Sequence, residues 1–127
     1  MIIIKKIFVI FVLVFYLVCP ISAENEDVYL LARAAEAVAG DESYTVMLSV
    51  SSVIVNRLQS EAYPSSLGAV ISDAGIDISD SKPSPRAVRA ARDAVHGFDP
   101  TGGALRFSYG GNDGKPILLG VDSWCFY

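Results

Sequence analysis

Residues 84–105 read S-P-R-A-V-R-A-A-R-D-A-V-H-G-F-D-P-T-G-G-A-L, an order that few backbone paths accommodate. Ser84 is a good N-cap, and Pro85 falls at the first helical position, where its missing N–H costs nothing. Gly97 stands where the chain must turn left-handed to leave a helix. Between them, Val88, Ala91 and Val95 share one face at helical spacing, with Arg86, Arg89 and Asp93 on the outer side. The glycines and proline of F-D-P-T-G-G then make a tight turn, and Leu105 starts a strand. A capped helix, a turn and a strand are therefore expected in the second half of the chain.

The first half opens on a segment that does not belong to such a fold. Lys5 and Lys6 precede an unbroken apolar run over residues 7–18, twelve residues long. A spanning helix needs about 20 residues. Ile21-Ser22-Ala23 offers a cleavage site, so residues 1–23 are expected to be a signal peptide and residues 24–127 the domain. An uncleaved anchor is the alternative. Cleavage after Ala23 leaves 104 of the 127 residues, enough for one modest core. It also leaves 8 basic against 14 acidic side chains, a net charge of −6. That balance argues against nucleic acid as a partner. Cys125 would be the sole remaining cysteine, so no internal disulfide is expected.

Residues 28–39 are alanine-rich and read as a helix with Leu31, Ala34, Ala35 and Val38 on one side. Residues 44–58 fit two patterns. Val46, Leu48 and Val50 alternate like a strand, while Met47, Val50, Ile54 and Leu58 fit a helix, and the length favours a buried helix. A short helix over 65–71 and an acidic loop over 72–83 follow. Residues 105–109 and 118–127 read as a β-hairpin with a long turn. The fold class is α+β: three main helices and a small C-terminal hairpin.

Few residue patterns here carry chemistry by themselves. Residues 110–116 read as a turn, because Tyr109 and Pro116 stand where a phosphate loop requires glycine and Ser/Thr. Asp73, Asp77 and Asp80 lack the alternating spacing of a calcium loop. His96 has no second histidine with which to build a zinc site. Neither a metal nor a cofactor is expected. Arg86, Arg89 and Arg92 recur every three residues, either as a solvated face or as a patch that grips an anionic polymer. Phe107, Tyr109, Trp124, Phe126 and Tyr127 could line a sugar cleft or fill a core. Glu36, Asp41 and Glu42 cluster at the exit of the first helix. A buried carboxylic acid can cleave a glycosidic bond, which makes these acids candidates.

Three segments together resemble the SleB-type cell wall hydrolases, the spore cortex-lytic enzyme family. They are Leu30-Leu31-Ala32-Arg33 through Gly40-Asp41-Glu42-Ser43-Tyr44; Val53-Ile54-Val55-Asn56-Arg57 with Tyr63-Pro64; and Ala90-Ala91-Arg92-Asp93-Ala94 with residues 97–105. The resemblance implies a small lysozyme-like or lytic-transglycosylase-like domain acting on peptidoglycan glycan strands. It implies one glutamic acid at the end of the first helix that protonates the glycosidic oxygen. The same carboxylate can then deprotonate the sugar's own hydroxyl to give an anhydro product.

Aligned without gaps through Leu31-Ala32-Arg33 and Glu42-Ser43-Tyr44, the position of that acid holds Val38. Glu36 reaches it only if two residues are removed before it and two inserted after it. Two helical positions rotate a side chain by about 200°, so in the ungapped register Glu36 faces nearly opposite the cleft. Residues 72–77 also depart from the family, where a Gln- and Phe-containing segment borders the substrate. Glu36 and Glu42 are the candidate catalytic residues, for a peptidoglycan hydrolase or lytic transglycosylase. The competing expectation is a catalytically silent member that binds glycan or regulates wall remodelling or germination. The expected partners are peptidoglycan strands, with a protein of the cell envelope or spore coat as a further candidate. Membrane contact is expected only if the signal stays uncleaved, and the expected location is outside the cell.

Overall fold

Alanine and serine set the spacing of the helices. The computed structural model describes residues 21–111 and 114–127. Helix α1 spans Ile21–Ala39, α2 Tyr44–Gln59, α3 Leu67–Asp73 and α4 Pro85–Val95. Nearly all of the expected targeting segment, 1–23, lies outside the described residues. Helix α1 begins before residue 28, running through the acidic stretch that precedes it. Among the described residues, no helix is long and apolar enough to cross a membrane.

Helix α2 is the central element. Eight of its residues, from Val46 to Ile54, are buried, on nearly every side of the helix. That accounts for the ambiguous pattern in its sequence, because a helix enclosed by neighbours shows no polar stripe. Two of its three buried serines return their hydroxyls to the helix: Ser49 Oγ donates to Thr45 O at 2.7 Å and Ser52 Oγ to Leu48 O at 2.8 Å. Ser43 caps it, accepting from the Val46 N–H.

Helix α4 packs on both α1 and α2. Its buried face is Ala87, Ala90, Ala91 and Ala94, which corrects the expected Val88–Ala91–Val95 face. Val88 is half-buried and Val95 is 37% exposed. Only the smallest side chains fit where three helix backbones converge, so the valines move to the rim. The ends of α4 are as expected. Ser84 Oγ accepts from Ala87 N, and Gly97 adopts φ +97°. The Gly97 and Phe98 N–H groups donate to Ala94 O and Asp93 O, the paired bonds of a Schellman cap.

The C-terminal region departs from a single hairpin. Strands β1 (Phe107–Tyr109), β2 (Leu119–Val121) and β3 (Trp124–Phe126) form an antiparallel sheet in the order β1-β3-β2. The second arm folds back on itself at Asp122 and Ser123, both at positive φ, as a two-residue hairpin turn requires. On the central strand Phe126 lies between Phe107 and Leu119, and Trp124 between Tyr109 and Val121, so these six side chains share one face. Phe126 and Trp124 join the core from it. The fold is α+β, with the sheet set against the helical body.

Candidate functional site

The three quoted sequence segments meet in the structure, and two of them lock to each other. At the end of α2, Asn56 Nδ2 donates to Asp99 Oδ2 (2.9 Å) and to Ala104 O (3.0 Å). Arg57 Nε donates to Leu105 O at 2.7 Å and lies over the Tyr63 ring. The Asp99 carboxylate also accepts from the Thr101 N–H, the Thr101 hydroxyl and the Gly103 N–H. Burial pushes this carboxyl up, but the bonds from Thr101, Asn56 and Gly103 outweigh it and hold the group below the usual aspartate range. The D-P-T-G-G turn is therefore a structural knot around one anion.

The first segment holds the 74–83 loop against α1. Arg33 donates to Ile78 O (2.5 Å) and Ser81 O (3.2 Å), and Ser81 Oγ returns a bond to Arg33 O (2.6 Å). One turn further on, the half-buried Glu36 accepts from Ser84 Oγ at 3.1 Å. Ser84 thus caps α4 with its oxygen and holds Glu36 with its proton. Gly40 leaves room for this arrangement, since a β-carbon there would sit 3.5 Å from the Glu36 carboxylate and 2.8 Å from its carbonyl. Glu36 and Ala37 line an open groove of about 480 Å³ with Asp77, Ser79, Asp80 and Lys82 on its far wall. Asp77 accepts from both the hydroxyl and the N–H of Ser79, which lower its carboxyl below the ordinary value.

Val38 takes a different direction. It is half-buried and packs against the hydrophobic core, where Leu31, Ala34 and Ala35 precede it on the inward side of α1. Glu42 lies beyond the helix in the α1–α2 turn, where its N–H donates to Ala39 O and its carbonyl accepts from Arg86 at 2.9 Å. The structure does not bring Glu36 and Glu42 together as a pair. Asp41 is exposed in the same turn.

A cluster without a sequence signature lies beside that turn. The Tyr44 hydroxyl donates to Asp93, and the Arg89 guanidinium sits over the Tyr44 ring at 5.1 Å. The bond to Asp93 is the main reason that the phenol is held above its usual pKa; burial and the Asp93 charge act with it, and Arg89 acts against it. Across the turn, Ser43 Oγ donates to Asp122 of the β2–β3 turn at 3.5 Å. Of the five aromatic residues proposed for a cleft, Trp124 and Phe126 are core, Phe107 and Tyr127 half-buried, and Tyr109 is 67% exposed. Tyr109 stands edge-on to Trp124 at 5.4 Å. Among the described residues, no three His, Cys, Asp or Glu side chains converge to hold a metal ion.

The sequence profile described as Cell Wall Hydrolase matches residues 41–116. The chain is 35% identical over 94 residues to the spore cortex-lytic enzyme of Halalkalibacterium halodurans, covering 69% of this chain and 28% of that protein. It is 34% identical over 94 residues to the spore cortex-lytic enzyme of Bacillus subtilis, covering 69% and 31%. The chain thus spans about a third of the length of these curated relatives. In three dimensions it resembles the crystal structure of the catalytic domain of the Bacillus cereus SleB protein, with a TM-score of 0.67 at 27% identity, covering 79% of this chain and 88% of that one. The catalytic domain of the germination-specific lytic transglycosylase SleB from Bacillus anthracis superposes with a TM-score of 0.65 at 27% identity, covering 79% and 92%.

Proposed function

The chain belongs to the cell wall hydrolase family, and from that premise we propose that it binds peptidoglycan glycan strands with the family's general acid replaced by Val38. The observation that carries this reading is the opposite placement of the two α1 side chains. Val38 packs on the core side, while the Glu36 carboxylate is engaged by Ser84 at the start of α4. A glycosidic oxygen leaves only if it receives a proton, and a valine has none to give. Glu36 cannot move into that role within the helix, because about 200° of rotation separates the two positions. Its side chain is held in place by the Ser84 hydroxyl at the start of α4. Glu42 sits in a turn, with its backbone tied at both ends. The family match begins at Asp41, leaving Glu36 and Val38 outside it.

One observation favours a cleaving enzyme. Glu36 borders an open groove with Asp77 and Asp80 on the opposite wall, so a sugar and a water could meet carboxylates there. In that reading Glu36 is the acid, and the groove rather than the Val38 side is the cleft.

The proposal takes residues 24–127 as one domain, exported behind the segment at 1–23 and acting at the cell wall or spore cortex. The test is sedimentation with purified cortex and vegetative peptidoglycan, followed by mass spectrometry of the soluble fraction. Co-sedimentation without released muropeptides is expected. Release that disappears in Glu36→Gln would establish the groove reading instead.

A further inference from the structure

Helix α4 turns its alanines inward and its arginines outward. Arg86, Arg89 and Arg92 are all exposed, and their spacing sets them along about 9 Å of helix, drifting by roughly 60° per step. The one acid of this helix, Asp93, is engaged by the Tyr44 hydroxyl. The described contacts of the stripe are to a carbonyl and a ring: Arg86 donates to Glu42 O, and Arg89 lies over Tyr44. Neither contact neutralises a guanidinium. A cationic strip therefore crosses an otherwise acidic protein of net charge −4. It also runs beside the α1–α2 turn, where Arg86 holds the Glu42 carbonyl, four residues past Val38.

A glycan strand carries its anions on the peptide stems attached to alternate sugars, as carboxylates. Guanidinium groups pair with carboxylates in a planar, two-bond geometry that a lysine ammonium does not offer. We propose that Arg86, Arg89 and Arg92 form a binding strip for the carboxylates of peptidoglycan peptide stems, so that the domain prefers stem-bearing over bare glycan. This rests on the glycan-binding reading above and adds to it a choice between wall materials. The strip lies outside the residues considered for acid catalysis, so it acts on affinity alone. Attraction at exposed sites is screened within about 8 Å at physiological salt, so the preference weakens as salt rises.

The test compares the wild-type chain with an Arg86→Gln/Arg92→Gln double variant, leaving Arg89 in place because it packs on Tyr44. Each is sedimented with teichoic-acid-stripped peptidoglycan, with the same material freed of stems by an amidase and then capped with methylamine and carbodiimide, because the amidase exposes a lactyl carboxylate on each muramic acid, and with isolated teichoic acid on beads. The wild type is expected to bind stem-bearing material about tenfold more tightly than stem-free glycan, a ratio set by two or three charge-assisted contacts and reduced by salt. The double variant is expected to lose that ratio while keeping its stem-free affinity and its melting temperature. Equal wild-type affinity for both glycans, or a variant that keeps the ratio, overturns the strip and leaves the glycan reading intact. Tighter binding to teichoic acid than to stem-bearing peptidoglycan overturns it in favour of a phosphodiester ligand. Binding to neither glycan overturns the glycan reading itself, and the strip with it.

Discussion

Replacing Asp99 by alanine removes the anion around which the D-P-T-G-G turn is tied. Four hydrogen bonds end on that carboxylate: from Asn56 Nδ2, the Thr101 N–H, the Thr101 hydroxyl and the Gly103 N–H. Thr101 is 2% exposed and cannot turn to water for compensation. Asn56 keeps its bond to Ala104 O, and Gly103 is exposed and can be solvated. Bonds to a charged group contribute about 1.5–3 kcal/mol each when buried. With two of the four partners able to recover elsewhere, the net loss is about 3 kcal/mol. For a domain of this size that lowers Tm by about 10–20 °C.

Thermal unfolding followed by circular dichroism measures this directly. The pH dependence supplies a second check. The Asp99 carboxyl is held below the value it has in the unfolded chain, so its stabilisation is fully present above about pH 4. It is lost as the pH falls through the lower folded-state value. Asp99→Asn is expected to be nearly as destabilised at pH 7 as Asp99→Ala and to lose part of the wild-type acid limb. A fall in Tm of less than 3 °C for Asp99→Ala, or an unchanged acid limb in Asp99→Asn, would refute the account of this turn.

Three further outcomes follow from the same contacts. Ser84→Ala removes both the α4 N-cap and the proton donated to Glu36; calorimetry is expected to register a loss of about 1–2 kcal/mol. Tyr44→Phe leaves Asp93 without its phenol donor and is expected to cost about 1–2 kcal/mol by urea unfolding. Because folding raises the Tyr44 pKa, the wild-type advantage is fully present below about pH 10 and lost as the pH rises through the folded value. Ser51 Oγ is buried without a hydrogen-bond partner, so Ser51→Ala is expected to be neutral or stabilising by up to about 1 kcal/mol in the same assay.

Local patterns foretold the local parts of the fold. The Ser84 cap, Pro85 and Gly97 each act through neighbours within a few residues, and each performs its expected role. The turn at 99–103 is of the same kind. The burial of α4 was less legible, because whether alanine or valine faces inward depends on how closely two other helices approach. The split of the last arm into β2 and β3 was missed, although Asp122 and Ser123 are residues that a tight turn tolerates. The contacts that define the site were out of reach by pattern alone. Glu36 with Ser84, and Tyr44 with Asp93, lie 48 and 49 residues apart, and neither pair leaves a spacing signal. The sequence register did separate Val38 from Glu36 by helical angle, and the two side chains face different surroundings.

The central claim is that this family member lacks the proton donor at position 38. It is tested most directly by measuring anhydro-muropeptide release from purified cortex peptidoglycan by the wild type, Val38→Glu and Glu36→Gln, each first shown to be folded by circular dichroism. The account predicts no release above the blank by the wild type or Glu36→Gln, and measurable release by Val38→Glu. Release by the wild type that is abolished in Glu36→Gln would contradict it.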